Sequence, residues 1–362
     1  MVGIWGAGNQ GFALYSYLYS KGIYPLCYTR NSDSLYIKEI RSLDKVEGFY
    51  KFNVTNNLND LLENEIIFIT TITTAYEEVA QKICQYASNF DFSKKIFVLF
   101  SGKLGGVLVF NEILKKNRIQ TNIIETDAIF ACRKVDSSSV WIRGIKRWNL
   151  LISNKDWYKS EKNLEIYAKI KKIFSDINLE VADNFIQRGL TDFGAMAHAV
   201  ISLINLANID NKKDLLFYID GITENTVILI QKVYEEFNKV AQFFNTEIIH
   251  PTELLDRYYG TVKDNLLISI KNVPNYKYTK MPHNINDRFL YEDVLNTMYP
   301  LSLTAKEFGI NIILVPSIVN IISFVLNLDL SKGRTLEKMG LSKDVLFKIK
   351  NEGLIPKVGG KK

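Results

Sequence analysis

Gly6-Ala7-Gly8-Asn9-Gln10-Gly11 is the most informative segment in the first half of this 362-residue chain. It follows a short apolar segment, residues 1–5, and leads into the apolar-rich residues 12–19. A strand, a glycine turn and a helix in this order form the phosphate-binding turn of a dinucleotide site. The first glycine allows the tight turn, the second lets the backbone approach the pyrophosphate, and the third lets the helix pack closely on the strand. We therefore predict that all six residues bind a dinucleotide cofactor.

The residues after the second predicted strand indicate which cofactor this turn binds. That strand, residues 24–28, leads into Thr29-Arg30-Asn31-Ser32, and the first acid after it is Asp33. An NAD site usually places Asp or Glu at the strand end, where the carboxylate accepts from the ribose 2′-hydroxyl. The guanidinium of Arg30 could instead bind a 2′-phosphate through paired, charge-assisted hydrogen bonds. We therefore predict NADP (NADPH) rather than NAD; the alternative is that Arg30 is a solvated surface charge.

Apolar runs of strand length alternate with helical spacing as far as about residue 183. One run, residues 66–70, is followed by a threonine-rich turn that we expect beside the cofactor, with Thr71 as a contact. Another, residues 95–100, ends in a second glycine-rich turn, Ser101-Gly102-Lys103-Leu104-Gly105-Gly106. Ligands on open α/β sheets collect at such carboxyl ends of strands. Residues 1–183 are therefore predicted to form a doubly wound, Rossmann-type dinucleotide-binding domain.

The pattern changes to long helices after about residue 184. Three stretches, residues 193–207, 226–244 and 292–308, carry apolar residues at three- and four-residue spacing, and Pro300 is expected to kink or interrupt the third. Residues 272–285 have the composition of a long irregular loop. Since no strand pattern alternates with these helices, residues 184–362 are predicted to form an all-helical domain that carries substrate and catalysis.

The composition narrows the functional classes. An excess of 45 basic over 39 acidic side chains gives a net charge of +6 that is spread along the chain. This suits anionic small molecules but is too diffuse for nucleic acid. The apolar run at residues 312–328 is broken by proline and polar residues, which favours a buried helix over a membrane span.

The three cysteines, Cys27, Cys84 and Cys132, have no close spacing, which favours reduced thiols and no metal site. Because the first predicted strand begins at the N-terminus, we expect no signal peptide. A cytoplasmic location is the simplest expectation.

Three histidines occur in the chain. His250 precedes a proline and is expected to cap or border a loop. His283 lies in the irregular loop, where a structural or solvated role is expected. His198 lies near the start of the first long helix after the domain change, which is where a two-domain enzyme would hold a general acid or base. From the residues alone, a satisfied core histidine and a catalytic one both remain open.

A charged cluster, Asp287-Arg288-Phe289-Leu290-Tyr291-Glu292-Asp293-Val294, leads into a predicted helix. We expect Glu292 and Asp293 in its N-terminal turn, where carboxylates suit the helix dipole, and capping alone would explain them. If Asp293 reaches His198, it would fix the tautomer of the ring and stabilise the imidazolium. Arg288 would then bind a substrate carboxylate.

These motifs together resemble the opine dehydrogenases, especially the octopine and nopaline synthase group. The resemblance covers most of the chain and rests on the glycine turn, His198, and the late arginine-to-valine string, together with Glu125-Thr126, Ala131-Cys132-Arg133 and Gly333-Arg334. It implies a helical domain of the 6-phosphogluconate dehydrogenase C-terminal type. It also implies a reductive condensation: the amino group of an amino acid joins the carbonyl of a 2-oxo acid, pyruvate or 2-oxoglutarate, and NAD(P)H reduces the resulting imine to a secondary amine.

By matching position, the resemblance implies that His198 is the proton donor and acceptor, Asp293 its orienting carboxylate and Arg288 the ligand of the oxo acid's carboxylate. The chain departs from the family at Ala199, where a proline is frequent, and in the loop at residues 271–285, so the amino donor is left undefined. The expected partners are small-molecule substrates, with no nucleic acid or membrane, in a monomer or homodimer.

Two other classes share parts of this pattern. A two-domain dehydrogenase for a hydroxy acid or sugar acid commonly uses a lysine at the start of the helical domain, but residues 185–206 contain none. A non-catalytic NADP-binding protein would be expected to lack part of the set His198, Arg288 and Asp293.

Overall fold

The structure is a computed structural model that describes residues 1–156, 164–261 and 265–352. These residues form two compact units. The first contains residues 1–102, 110–155 and 164–180. The second contains Lys103–Val109, Asp156 and the described residues from Val181 onward. The first unit is an α/β domain and the second is helical, which confirms the predicted fold class.

The strands of the first unit build two sheets. In chain order they are Val2–Trp5 (β1), Leu26–Tyr28 (β2), Glu39–Asp44 (β3), Gly48–Lys51 (β4), Val54–Thr55 (β5), Ile66–Ile69 (β6), Ile96–Phe100 (β7), Asn122–Thr126 (β8), Phe130–Lys134 (β9), Ser139–Ile145 (β10), Trp148–Ser153 (β11) and Asn178–Val181 (β12). Five helices accompany them: Asn9–Ser20 (α1), Leu58–Leu62 (α2), Tyr76–Cys84 (α3), Gly106–Lys116 (α4) and Leu164–Ile173 (α5).

The larger sheet has the order β12-β11-β8-β7-β6-β1-β2-β5. The pairs from β8 through to β5 are parallel, whereas β11 is antiparallel to β8. The chain runs from β1 to β2 on one side and returns to β6 on the other, so the order reverses between β1 and β6. Ligands of doubly wound sheets bind at this switch point, beside the carboxyl ends of the strands.

A smaller sheet of order β4-β3-β10-β9 lies against α1. The strands β3, β4 and β9 mix polar and apolar residues and lack the continuous apolar run of β6 and β7, which are buried throughout, so the sequence pattern does not single them out.

The second unit contains ten helices in its described residues: Phe185–Leu190 (α6), Phe193–Ile204 (α7), Leu206–Asp210 (α8), Glu224–Phe243 (α9), Pro251–Tyr259 (α10), Leu266–Asn272 (α11), Arg288–Asp293 (α12), Tyr299–Glu307 (α13), Leu314–Leu326 (α14) and Lys343–Glu352 (α15). The predicted helix at residues 193–207 ends three residues earlier, at Ile204. The one at 226–244 corresponds closely to α9.

The late helix differs from the prediction. Instead of one helix over residues 292–308, α12 is followed by a π-helical turn, Val294–Met298, and then by α13. The expected interruption at Pro300 is therefore present, one turn earlier than the proline itself. The prediction that Glu292 and Asp293 lie in an N-terminal turn was wrong: α12 begins at Arg288 because Asp287 accepts from Phe289 N at 3.0 Å, so Asp293 ends the helix.

The structure also differs from the prediction in two other segments. The loop predicted at residues 272–285 contains the 3₁₀ turn Pro274–Tyr278, in which Tyr276 is buried. The apolar run at 312–328 forms α14, but only one face is buried, and Phe324 is 85% exposed. Among the described residues, no helix combines the length and apolar character needed to cross a bilayer.

Candidate active site

The turn between β1 and α1 has the backbone shape that a pyrophosphate requires. Gly6 has φ = 119°, which side chains rarely adopt, and a Cβ added to Gly11 would lie 1.8 Å from the Gly6 oxygen. A Cβ added to Gly8 would meet no described atom within 4 Å. Gly8 is also the N-cap of α1, whose first turn has no acid, so the positive helix end suits an anion. This cradle fits a dinucleotide.

The remaining predicted turn residues contribute through their backbone. Asn9 Oδ1 accepts from Lys134 N, and Gln10 Nε2 donates to the Phe130 oxygen, each at 2.8 Å. These side chains tie the turn to β9. Only their N–H groups, with that of Ala7, remain for a phosphate.

Thr71 follows β6 at the switch point. Its backbone nitrogen would lie 3.6 Å from a Cβ on Gly6, which places it beside the turn. Within the described part of the chain its buried Oγ1 has no hydrogen-bond partner. Buried hydroxyls normally have one, so this atom is suited to a ligand.

Arg30 follows β2 on the surface. Its Nη1 lies 2.5 Å from Glu78 Oε1, and both side chains are about half exposed. The guanidinium therefore forms an exposed ion pair with Glu78. Such pairs contribute little to the free energy of folding, about 0–1 kcal/mol.

His198 and Asp293 are in direct contact in the second unit. Nδ1 of the ring lies 2.8 Å from Asp293 Oδ2, and the two side chains are 17% and 2% exposed. Burial raises the pKa of Asp293, but Lys103 and His198 together outweigh it and hold this pKa well below its ordinary value. The carboxylate is therefore ionised and accepts from Nδ1–H, so Nε2 of the neutral ring carries the lone pair.

Aromatic side chains hold the ring of His198 on its other sides. Tyr218 Oη lies 2.8 Å from Nε2, and Phe289 stacks on the ring with centroids 4.4 Å apart. Phe289 and Asp293 are one helical turn apart on α12, so one face of this short helix fixes both the plane and the tautomer of the imidazole. Burial raises the pKa of Tyr218 well above its ordinary value, so its hydroxyl stays protonated.

A buried lysine completes the charged cluster. Lys103 Nζ lies 2.6 Å from Asp293 Oδ1 and 2.7 Å from Asp192 Oδ2. Asp192 is also the N-cap of α7, through Oδ1 and Ala195 N. These contacts connect four side chains in space. Asp192 contacts Lys103, Lys103 contacts Asp293, and Asp293 contacts the imidazole of His198.

The turn that carries Lys103 is anchored by the π-helix. Pro300 has no N–H to bond the oxygen of Asn296, four residues earlier. That oxygen instead accepts from Leu104 N at 3.1 Å, and Arg334 Nη1 donates to the Leu104 oxygen at 2.8 Å. Lys103 itself has φ = 59°, a left-handed conformation that costs a side chain about 1–2 kcal/mol.

Arg288 is the predicted ligand of a carboxylate. Its side chain is 54% exposed, and Nη1 bonds Glu292 Oε2 at 3.3 Å. The guanidinium lies 5.5 Å from the centre of the Phe289 ring, the same ring that stacks on His198. An exposed cation and a proton-exchanging group therefore share one aromatic neighbour.

The other two histidines lie elsewhere. His250 is the N-cap of α10, as expected, and its Nδ1 accepts from Thr252 N. His283 is exposed.

Sequence reasoning missed Lys103 and Tyr218. The glycine-rich turn that holds Lys103 was recognised, and a cation in such a turn was an available signal. Tyr218 lies between α8 and α9, where the sequence offers no motif to single it out.

Comparison with known proteins finds similar sequences and structures over most of the chain. The family model described as NAD/NADP octopine/nopaline dehydrogenase, alpha-helical domain, matches residues 181–326. An opine dehydrogenase from Arthrobacter sp. (strain 1C) is 27% identical over 93% of this chain and 94% of its own length.

Solved structures share the fold. Octopine dehydrogenase in complex with NADH and agmatine has a TM-score of 0.75 at 16% identity, covering 96% of this chain and 97% of that chain. The same enzyme with NADH and pyruvate has a TM-score of 0.72 at the same identity and coverage. Yersinopine dehydrogenase with NADP⁺ bound has a TM-score of 0.71 at 12% identity, covering 97% of this chain and 98% of that chain.

Proposed function

We propose that this chain is an opine dehydrogenase, an NAD(P)-dependent oxidoreductase acting on CH–NH donors, and that His198 is its acid–base group in the reductive condensation of a 2-oxo acid with an amino acid. The observation that carries this assignment is the buried contact between His198 Nδ1 and Asp293 Oδ2. The ionised carboxylate fixes the Nδ1–H tautomer and stabilises the imidazolium, so protons enter and leave at Nε2.

The chemistry needs such a group. Attack of the amine on the oxo acid gives a carbinolamine, and its hydroxyl must be protonated to leave as water when the imine forms. His198 supplies that proton at Nε2, where the hydroxyl of Tyr218 can donate to the neutral ring or accept from the protonated one. The nicotinamide, when bound, supplies the hydride. The glycine turn, with Gly6, Gly8 and Gly11, would hold its pyrophosphate.

Arg288 binds the carboxylate of the oxo acid in this proposal. Its exposed guanidinium suits a planar, bidentate partner, and the Phe289 ring sets it near His198. Pyruvate, the oxo acid in one octopine dehydrogenase complex, and 2-oxoglutarate are the acids to test first.

The test is oxidation of NADPH or NADH with each oxo acid against a panel of amino acids. Turnover should require both substrates, and His198→Ala should reduce it roughly 10²–10⁴-fold. His283→Gln, an exposed histidine in the same unit, is the matched control. Arg288→Ala should mainly raise KM for the oxo acid. An active His198→Ala enzyme, or turnover with an oxo acid alone, would rule the assignment out.

The second part of the proposal is a preference for NADPH. Arg30 is exposed at the end of β2, its ion pair with Glu78 lies on the surface, and no acid lies between Tyr28 and Asp33. Relatives of this fold are known with NADH and with NADP⁺, so the local residues decide.

Replacing Arg30 with Asp should reverse the ratio of kcat/KM for NADPH and NADH, because the carboxylate repels a 2′-phosphate and accepts from a 2′-hydroxyl. Glu78→Gln is the control: it removes the partner of Arg30 and should leave the preference for NADPH intact or stronger. Unchanged selectivity in Arg30→Asp would remove Arg30 from the cofactor site.

We also propose that the enzyme acts in the cytoplasm as a monomer or homodimer. Among the described residues, Cys27, Cys84 and Cys132 form no disulfide, which is consistent with a reducing compartment. Light scattering at several protein concentrations would test the assembly state, and a larger oligomer would contradict it.

A further inference from the structure

One charged group outside the assigned set contacts the acid–base pair: the ammonium of Lys103, 2.6 Å from Asp293 Oδ1. We propose that Lys103 is a positioning residue, which holds Asp293 ionised and directed at His198 and, balanced by Asp192, sets the proton affinity of the imidazole. This inference rests on the proposed function, because it takes His198 as the group that transfers the proton.

The geometry gives each carboxylate oxygen a separate task. Oδ1 of Asp293 contacts the ammonium of Lys103, and Oδ2 accepts from Nδ1 of His198. Oδ1 of Asp192 accepts from Ala195 N and caps α7, and Oδ2 contacts the ammonium of Lys103. Lys103 thereby links the first turn of the helix that carries the histidine to the carboxylate that orients it. Rotation of Asp293 away from the ring would break its contact with the lysine.

Burial makes the balance of charge consequential. Lys103, Asp192 and Asp293 are 7%, 4% and 2% exposed, so water screens them poorly. The ammonium of Lys103 lies between the two carboxylates and offsets the charge of one of them. Without the ammonium, the second negative charge would raise the proton affinity of the ring, and an imidazolium that holds its proton too tightly is a poor acid near neutral pH.

The other groups around His198 do not provide this balance. Tyr218 on Nε2 is a neutral phenol, and Phe289 and Phe217 present aromatic rings. The guanidinium of Arg288 lies near Phe289 and is paired with the buried carboxylate of Glu292, so these two charges oppose each other.

The backbone also indicates that the position of the ammonium is fixed. Lys103 adopts φ = 59°, and its turn is held by the Leu104 N–H on Asn296 and by Arg334 on the Leu104 oxygen. Strained conformations persist only where the surroundings impose them. A lysine serving only to neutralise charge would not require such a turn.

The experiment measures the pKa of His198 by NMR in the full chain labelled with isotopic histidine and without cofactor. Lys103→Met should raise it by about one unit or more, and Asp192→Asn, which keeps the cap, should lower it by about one unit. The double variant removes one positive and one negative charge, so it should return the pKa close to that of the unsubstituted protein. His250→Gln and His283→Gln assign the signals.

Activity gives the second measurement. Lys103→Met should reduce turnover roughly 10–100-fold and move the pH profile upward, while Lys103→Arg should retain most activity. Single variants that shift the His198 pKa in the same direction, or not at all, would overturn the proposal. If Lys103→Met does not fold, Asp192→Asn and the double variant still decide: the first must lower the pKa and the second must restore it. Opposite shifts without any turnover from an oxo acid and an amine would support the charge balance and reject the proposed function.

Discussion

At the scale of the residue, the acid–base site depends on a few buried contacts of opposite charge. His198 has a carboxylate on one ring nitrogen, a phenol on the other and an aromatic ring on its face. Together these neighbours fix the tautomer and the orientation of the ring and cover one of its faces. A histidine bound in this way is ready to exchange one proton at one atom.

The ionised state of Asp293 also links activity to stability. Its pKa is held below its ordinary value, where Lys103 and His198 outweigh burial. A group with a depressed pKa stabilises the fold at pH above its unfolded pKa, about 3.9 for Asp, and this contribution is lost as pH falls through the folded pKa.

Asp293→Asn should therefore lower the free energy of unfolding at pH 7 by about 3 kcal/mol, since it removes one partner of a buried pair. The difference from the unsubstituted protein should shrink below about pH 4. Urea denaturation at pH 7, 5 and 3.5 measures it. Asp214→Asn, an exposed partner of Lys280, should change little at any pH, and a gap for Asp293→Asn that is independent of pH would contradict the prediction.

The site residues show what a sequence can and cannot give. The string at residues 288–294 and the position of His198 led to the hypothesis of a His198–Asp293 contact, which the structure contains. Lys103 was missed because it lies 95 positions before His198, and only the folded chain brings them into one cluster. Tyr218 was missed because an aromatic residue in a connecting segment carries no signal of its own.

At the scale of the element, the glycines in the turn between β1 and α1 are present for two different reasons. Gly11 is required by packing, because a Cβ would clash with the Gly6 oxygen at 1.8 Å. Gly8 has open space and φ = −86°, which any residue adopts, so packing does not require it. The sequence pattern treats the two alike, whereas the structure assigns one to the fold and leaves the other for the cofactor.

Gly8→Ala should therefore leave the melting temperature unchanged and weaken cofactor binding, since the methyl group enters the space predicted for the pyrophosphate. Gly11→Ala should lower the melting temperature as well as the affinity. Calorimetric unfolding and titration with NADPH measure both. A stable Gly11→Ala protein, or a Gly8→Ala protein with full affinity, would contradict this division.

The break in the late helix belongs to the same scale. Pro300 allowed the interruption to be predicted, but not its consequence, which is that the freed oxygen of Asn296 anchors the turn of Lys103. Helical periodicity extends through residues 292–308 because apolar spacing records burial and does not report where the hydrogen-bond ladder changes from α to π.

At the scale of the whole molecule, alternating strand and helix patterns followed by helices alone were sufficient to predict the fold class. They did not predict the smaller sheet, whose strands are short and partly polar. They also did not predict that Lys103–Val109 packs within the second unit. Local patterns describe neighbours in sequence, and this segment depends on partners such as Asn296 and Arg334 far along the chain.

Thiol chemistry should report on the integrity of the first unit. Cys27 lies on β2 with no exposed surface, and burial raises its pKa to about 12. In a variant with Cys84→Ser and Cys132→Ser, we expect no reaction with a thiol reagent at pH 8 until denaturant unfolds the sheet, because the thiolate is the reactive form. Spectrophotometric labelling along a urea series measures this, and rapid labelling without urea would contradict the burial of Cys27.

The segment Lys103–Val109 has a consequence for how such enzymes could be recombined. A hybrid that joins the first 180 residues of one relative to the remainder of another would import the seven-residue insert from the donor of the cofactor half. The Asp293–His198 pair would then receive the ammonium of Lys103 from the other parent. Successful chimeras should be those in which this insert is exchanged together with the helical half, and shuffling at a single crossover should fail more often than the sequence identity of the parents suggests.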